Sequence, residues 1–153
     1  MQLATLCYIK KNNQILMMHR NKMKGDFHGD KWLGLGGRFE SGETPEECIL
    51  REVKEESGLV LKNLKLKGSI FFPAFELQSE DWHVYVFVST KFEGSLAQSR
   101  EGKLKWINES ELLNLNLWPA DRIFLPWLKQ RKFFSAKFVY KKEKLDNYKV
   151  IFY

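Results

Sequence analysis

The chain has 153 residues, 44% hydrophobic, 14% aromatic and 29% charged, with a net charge of +6. Those values exclude a disordered chain and favour one packed domain over residues 1–153. Two cysteines exclude a disulfide framework, and no apolar run nears the ~20 residues that span a bilayer, so a cytoplasmic protein without membrane contact is expected.

In chain order, ATLCYIK (4–10) and QILMMHR (14–20) are β-like runs around KNN and predict a hairpin. Residues 21–31 are polar with two glycines and read as a loop, and WLGLGG (32–37) is a short apolar piece broken by glycines. A helix is expected over about 45–57, with Thr44 and Glu47 as a capping box, Pro45 at the first helical position and Gly58 at the end. KLKGSIFFPAFEL (65–77) and WHVYVFVSTKF (82–92) read as strands around QSED, followed by a strand KLKWI (103–107). NESELLNL (108–115) is a short helix or turn, a helix is expected from Pro119 to about Lys132, and FFSAKFVY and YKVIFY form a closing hairpin around KKEKLDN. Mixed strands and helices without repeats imply an α/β protein with a mixed sheet covered by helices.

The predicted helix poses a physical problem. Glu52, Glu55 and Glu56 crowd its C-terminal half, where the helix dipole is already negative. At 100° per residue the three share one face, beside an apolar stripe of Ile49 and Val53 that can dock on the sheet. Carboxylates held this close repel unless a cation neutralises them, and hard oxygen ligands suit Mg²⁺ or Mn²⁺. A solvated acidic helix is the plainer reading of the charge pattern alone.

The spacing decides between the two. Gly37, Glu43 and the run Arg51-Glu52-Val53-Lys54-Glu55-Glu56-Ser57-Gly58-Leu59 match every specified position of GX5EX7REUXEEXGU, with U aliphatic. The sequence therefore resembles the Nudix hydrolases. That resemblance implies an α/β/α sandwich and metal-dependent hydrolysis of a nucleoside diphosphate linked to another group. It assigns Glu52, Glu55 and Glu56 as metal ligands or base and the Gly36 carbonyl as a further ligand. Arg51 and Glu43 would pair and orient the helix face, Gly36 and Gly37 would let backbone approach phosphates, and Arg20 and Arg38 are candidate phosphate contacts.

Beyond the box, LGLGGRFESGETPEE, Trp118-Pro119-Ala120-Asp121 and the closing hairpin with FFSAKFVY are similar to the MutT-type 8-oxo-dGTP diphosphatases. This implies cleavage of a purine (deoxy)nucleoside triphosphate to the monophosphate and pyrophosphate, which sanitises the nucleotide pool and protects DNA. Trp118 would stack on the base, Asp121 would hydrogen-bond its edge, Phe27 would form the opposite wall, and Glu101 would approach the metals. Leu33 and Ala120 depart from the mammalian branch, which has Asn and Asp there, so base recognition does not follow that branch in detail. Another nucleoside diphosphate derivative, or nucleotide or RNA binding without catalysis, are the alternatives.

The net charge of +6 lies entirely from Lys129 onward, where eight Lys or Arg face two acidic residues. A solvated hairpin face is the simpler reading of this tail, and attraction to phosphates or nucleic acid the other. The expected partner is a small-molecule nucleotide, the expected assembly a monomer or homodimer, and the expected rate optimum neutral to alkaline.

Overall fold

A computed structural model of the chain describes residues 1–20, 29–75, 80–97, 99 and 101–153. β1 (Gln2–Lys11) and β2 (Gln14–Arg20) form the first hairpin, turning at Asn12, whose φ of 56° is a left-handed conformation that Asn tolerates. The apolar piece at 32–37 becomes two short strands, β3 (Trp32–Leu33) and β4 (Leu35–Arg38), pairing with β2 and β1.

Helix α1 (Pro45–Ser57) has the boundaries its caps dictate. The Thr44 side chain accepts from the Glu47 N–H at 3.1 Å, and the Glu47 carboxylate accepts from the Thr44 N–H at 3.0 Å. At the other end Gly58 takes φ +79° and donates its N–H to the Lys54 carbonyl. That left-handed cap is cheap for glycine, which has no Cβ to clash.

β5 (Val60–Leu61) then leads into β6 (Lys65–Phe75) and β7 (Glu80–Ser89), the central antiparallel pair. The strand expected to reach residue 92 stops at Ser89, and β8 (Phe92–Glu93) pairs instead with β5. The break is held by Asn63, whose side-chain oxygen accepts from the N–H groups of Thr90 and Lys91 and replaces ladder bonds.

β9 (Gly102–Asn108) pairs along β2, followed by a 3-10 turn at Glu109–Asn114. The helix expected over 119–132 is shorter. α2 covers Pro119–Phe124 and tightens into a 3-10 turn at Leu125–Lys129. Pro126 explains the change, because it has no N–H to continue the α-helical ladder.

β10 (Phe134–Lys141) and β11 (Lys144–Phe152) close the chain. The segment KKEKLDN, expected as the connection, is mostly strand. The turn is only Lys142 and Glu143, at φ +50° and +67°, a tight two-residue hairpin turn.

Nine strands among the described residues share one sheet in the order β11-β10-β6-β7-β1-β2-β3, with β4 also on β1 and β9 also on β2. β1–β7 and β6–β10 run parallel and the other pairs antiparallel, so the sheet is mixed. Strand alternation sorts the two faces. Ala4 and Tyr8 of β1 enter a cluster with Phe124, Phe134 and Phe138 under α2, while Cys7 and Ile9 enter one with Ile49 and Val53 of α1. A helix thus lies on each face, as an α/β/α sandwich requires. Both cysteines are free and buried, and burial pushes both thiols up, so they act as small core residues. Among the described residues no helix is long and apolar enough to cross a membrane.

Candidate active site

A cleft of about 710 Å³ opens beside the C-terminal half of α1. One part is lined by Arg20, Gly36, Gly37, Glu52, Glu56 and Glu101, with Arg38 and Arg51 at its margin. Strand β4 brings both glycines close to their neighbours, Gly37 against the Glu52 side chain of α1 and Gly36 against the backbone of β1. A Cβ on Gly37 would lie 2.5 Å from the Glu52 carboxyl carbon, and one on Gly36 would lie 1.9 Å from the Thr5 carbonyl oxygen.

Arg51 organises the acidic face. Its Nε donates to Glu43 Oε2 at 2.7 Å, Nη1 to Glu52 Oε1 at 2.9 Å and Glu55 Oε2 at 3.2 Å, and Nη2 to the Arg38 carbonyl at 3.1 Å. Those bonds hold the Glu43 carboxyl down to about 2. Glu43 and Arg51 therefore pair as expected, and Glu43 lies outside the cleft lining. Glu55, with a side chain 58% exposed, also stands outside the lining, although Arg51 ties it to the group.

Glu56 has the most unusual surroundings. It is buried, and its Oε1 accepts from the Gly36 N–H at 3.0 Å. Burial, with the nearby Glu101 and Glu52 carboxylates, pushes its carboxyl up to about 9. Burial also raises Glu52, against the pull of Arg51. Glu101 comes from the start of β9 and is paired with Arg20 at 3.3 Å, so the expected cleft residues from β2 and β9 meet.

This donor set fits a hard divalent cation. Beyond burial, the Glu101 and Glu52 carboxylates raise the proton affinity of Glu56, the electrostatic condition that a bound cation reverses. Among the described residues no three His, Cys, Asp or Glu side chains form a ready-made cage, because Arg51, Arg20 and the Gly36 N–H hold these oxygens. Mg²⁺ does not require such a cage, since it keeps several waters and shares phosphate oxygens with one or two carboxylates.

The rest of the cleft is aromatic. Trp118 is buried at the N-terminus of α2, edge-on to Phe75 (6.0 Å) and Tyr140 (5.7 Å), with the Lys31 ammonium 5.2 Å from its ring centre. Asp121, one turn into α2, is 7% exposed and burial pushes its carboxyl up to about 7. The Tyr140 hydroxyl accepts from the Ala120 N–H at 2.8 Å and so satisfies a helix-terminal donor. Phe72, Phe75, Trp82 and Tyr140 also line the cleft and were not singled out from the sequence. The aromatic run at 71–75 is a local signal for Phe72 and Phe75 only. Phe27, expected as a wall of the base site, lies outside the described residues.

The NUDIX domain family matches residues 1–128. The chain belongs to the Nudix family. This Nudix hydrolase is 31% identical over 137 residues to an oxidized purine nucleoside triphosphate hydrolase of Danio rerio, covering 90% of this chain and 85% of that one. It is 34% identical over 113 residues to an ADP-ribose pyrophosphatase of Methanocaldococcus jannaschii, covering 72% of this chain and 60% of that one. The crystal structure of a MutT protein from Bacillus halodurans superposes with a TM-score of 0.86 at 30% identity, covering 98% of this chain and 97% of that one. The sandwich described above is thus the Nudix fold, and the family hydrolyses pyrophosphate bonds.

A first prediction follows from the contact between Gly37 and Glu52. The Gly37→Ala methyl group meets only the end of a flexible side chain, so unfolding free energy should change by about 1 kcal/mol or less. The displaced Glu52 carboxylate should lower hydrolysis at least tenfold. Thermal unfolding and pyrophosphate release on one preparation check both.

Proposed function

We propose that this Nudix hydrolase, a single domain over residues 1–153, cleaves a purine (deoxy)nucleoside triphosphate to the monophosphate and pyrophosphate in the cytoplasm, with 8-oxo-dGTP as the foremost substrate. One observation carries the reading: a single cleft joins the carboxylates of α1 to a buried carboxyl, Asp121, set among aromatic rings. The first part suits a triphosphate and the second a base with hydrogen-bonding edges.

Magnesium, or manganese in its place, would be held by Glu52, Glu56 and Glu101, by Glu55 once turned from Arg51, and by the Gly36 carbonyl. When bound, such an ion makes water more acidic and stabilises charge on phosphoryl oxygens. The chain's own residues supply the remainder. Glu52 or Glu56 takes the proton of the attacking water at a carboxylate oxygen. Arg51, locked by Glu43, keeps the helix face in register, and Gly37 leaves room for the Glu52 carboxylate beneath it. Arg20 and Arg38 bind phosphate oxygens. Trp118 supplies stacking surface, worth ~1–3 kcal/mol per base, and Asp121 reads the base edge.

Apolar Leu33 and Ala120 leave Asp121 to carry that recognition. Its carboxyl, near half-protonation at neutral pH, can both donate and accept, which matches a guanine-like edge with donors and an acceptor side by side. Similarity to the Danio rerio hydrolase supports the oxidised purine, and similarity to the ADP-ribose pyrophosphatase supports a second reading with a different diphosphate.

A panel of 8-oxo-dGTP, dGTP, dATP, dCTP and ADP-ribose with Mg²⁺ separates the two, with products resolved by chromatography. The expected result is the highest kcat/KM on 8-oxo-dGTP, with monophosphate and pyrophosphate as products. Preference for ADP-ribose would transfer the assignment to the second reading, and no cleavage of any substrate would overturn both.

A further inference from the structure

Helix α1 rests on β1, β4 and β5. On the same side of the sheet, β6, β10 and β11 extend past it, and their register places one row of side chains straight across five strands. The row reads Leu3, His83, Phe71, Lys137, Lys149 over β1, β7, β6, β10 and β11. With strands 4.7–4.9 Å apart it is about 19 Å long. The neighbouring row ends in Ser135 and Ile151, and Ile151 is 59% exposed.

Two features of this row are not explained by folding. Phe71 is only half-buried and belongs to neither core cluster. Lys137 and Lys149 stand directly opposite each other, a like-charged cross-strand pair that costs stability, and neither has an ion-pair partner among the described residues. Edge strands often carry lysine to block aggregation, which accounts for Lys149 on β11. It does not account for Lys137, because β10 lies between β11 and β6. Within the row, His83 stacks at 4.9 Å on Tyr85 of the neighbouring row, which packs on the α1-side core, and the Phe39 ring lies 5.9 Å from Tyr85. The surplus positive charge of the whole chain lies in the segment that supplies β10 and β11.

We propose that this open sheet face binds single-stranded nucleic acid, with bases stacked on Phe71 and the His83–Tyr85 pair and phosphates on Lys137 and Lys149. A flat sheet bearing aromatic rings and flanked by lysines supplies both halves of that recognition: stacking that tolerates any base, and backbone charge neutralisation. The face adjoins the cleft at Phe39, but Phe71, Lys137 and Lys149 lie outside the cleft lining, and the proposal does not depend on which nucleotide the cleft cleaves.

Fluorescence anisotropy with labelled oligo-U and oligo-dT, titrated across salt concentrations, tests it, and the two oligomers separate RNA from DNA preference. Binding should weaken as salt rises. Removing each lysine should flatten the log–log slope by about 0.7. Phe71→Ala should weaken binding at least fivefold at every salt concentration. The single change Lys137→Glu converts a repelling pair into an attracting one, so it should fold at least as stably, keep nucleotide hydrolysis and still lose binding about tenfold. Absence of binding at low salt would overturn the proposal, as would binding that none of these changes affects. A concentration-dependent dimer dissolved by Lys137→Glu, seen in sedimentation without oligonucleotide binding, would overturn it by assigning the face to a second copy.

Discussion

Replacing Glu56 by Gln is expected to give a protein more stable than the parent and close to inactive. The parent carboxyl is buried beside Glu101 and Glu52, and its proton affinity rises from 4.5 to about 9. Below pH 4.5 it is protonated in both folded and unfolded chains and carries no penalty. As the pH climbs, the unfolded chain ionises while the folded one holds its proton, so folding loses ~1.4 kcal/mol per pH unit until about 9. At pH 7 that is roughly 3 kcal/mol, which the neutral amide avoids. The Gln carbonyl can still accept the Gly36 N–H, so the local geometry persists. Activity should nevertheless fall about 10²–10⁴-fold, as for loss of a general base or a charged ligand. Added Mg²⁺ should raise the parent's melting temperature more than the variant's, because only the parent offers a carboxylate there. Denaturant unfolding at pH 6 and pH 8, with and without Mg²⁺, reads the stabilities. A Gln variant that hydrolyses at the parental rate, or that is less stable than the parent at pH 8, would remove Glu56 from the proposed machinery.

The reason Glu56 could be singled out from sequence is that α1 carries its instructions locally. Thr44, Pro45, Glu47 and Gly58 act within one turn of their own backbone, so the helix appears where those residues place it. The Glu43–Arg51 pairing was expected from the family resemblance, and the structure forms it across one loop and the first turns of α1. The aromatic part of the cleft was not. Phe72 faces Trp82 across the β6–β7 pair, but Tyr140 near the end of β10 reaches these rings through the parallel β6–β10 pairing of distant segments. Nothing within any one segment records that pairing. The first half of the last strand escaped for the opposite reason. Lys144 to Asn147 are mostly exposed on an edge, so hydrophobic alternation, the signal of a half-buried strand, is absent there. In α2 the local signal existed, and Pro126 is the residue whose weight prevailed over helical periodicity.

Asp121 provides the second large effect, on choice of base and not on the chemistry of phosphate release. Its carboxyl is 7% exposed, among Trp118, Phe75 and Tyr140, with the Lys31 charge favouring ionisation against burial. A purine whose edge satisfies this carboxyl replaces the hydrogen bonds lost on burial, whereas a base that cannot do so leaves a polar group unpaired, a difference of several kcal/mol. Asp121→Ala should therefore lower kcat/KM on the preferred purine triphosphate by 10²-fold or more, chiefly through KM, and leave a poor pyrimidine substrate within about threefold. Asp121→Asn should keep part of the binding and lose its pH dependence. In the parent, raising the pH through about 7 ionises the carboxyl and removes its donor, so KM for a substrate that accepts from it should rise on the alkaline side, while the amide, which always donates, stays level. The unfolded value is 3.8, so between pH 3.8 and about 7 the unfolded chain ionises while the folded one keeps its proton, stability falls across that window, and the full loss persists above it; the Asn variant should therefore unfold at higher temperature than the parent at pH 8. KM profiles from pH 6 to pH 9 on one purine and one pyrimidine triphosphate decide the matter. Equal losses on both nucleotides would make Asp121 a packing residue of α2, and base selection would then rest on the rings around it.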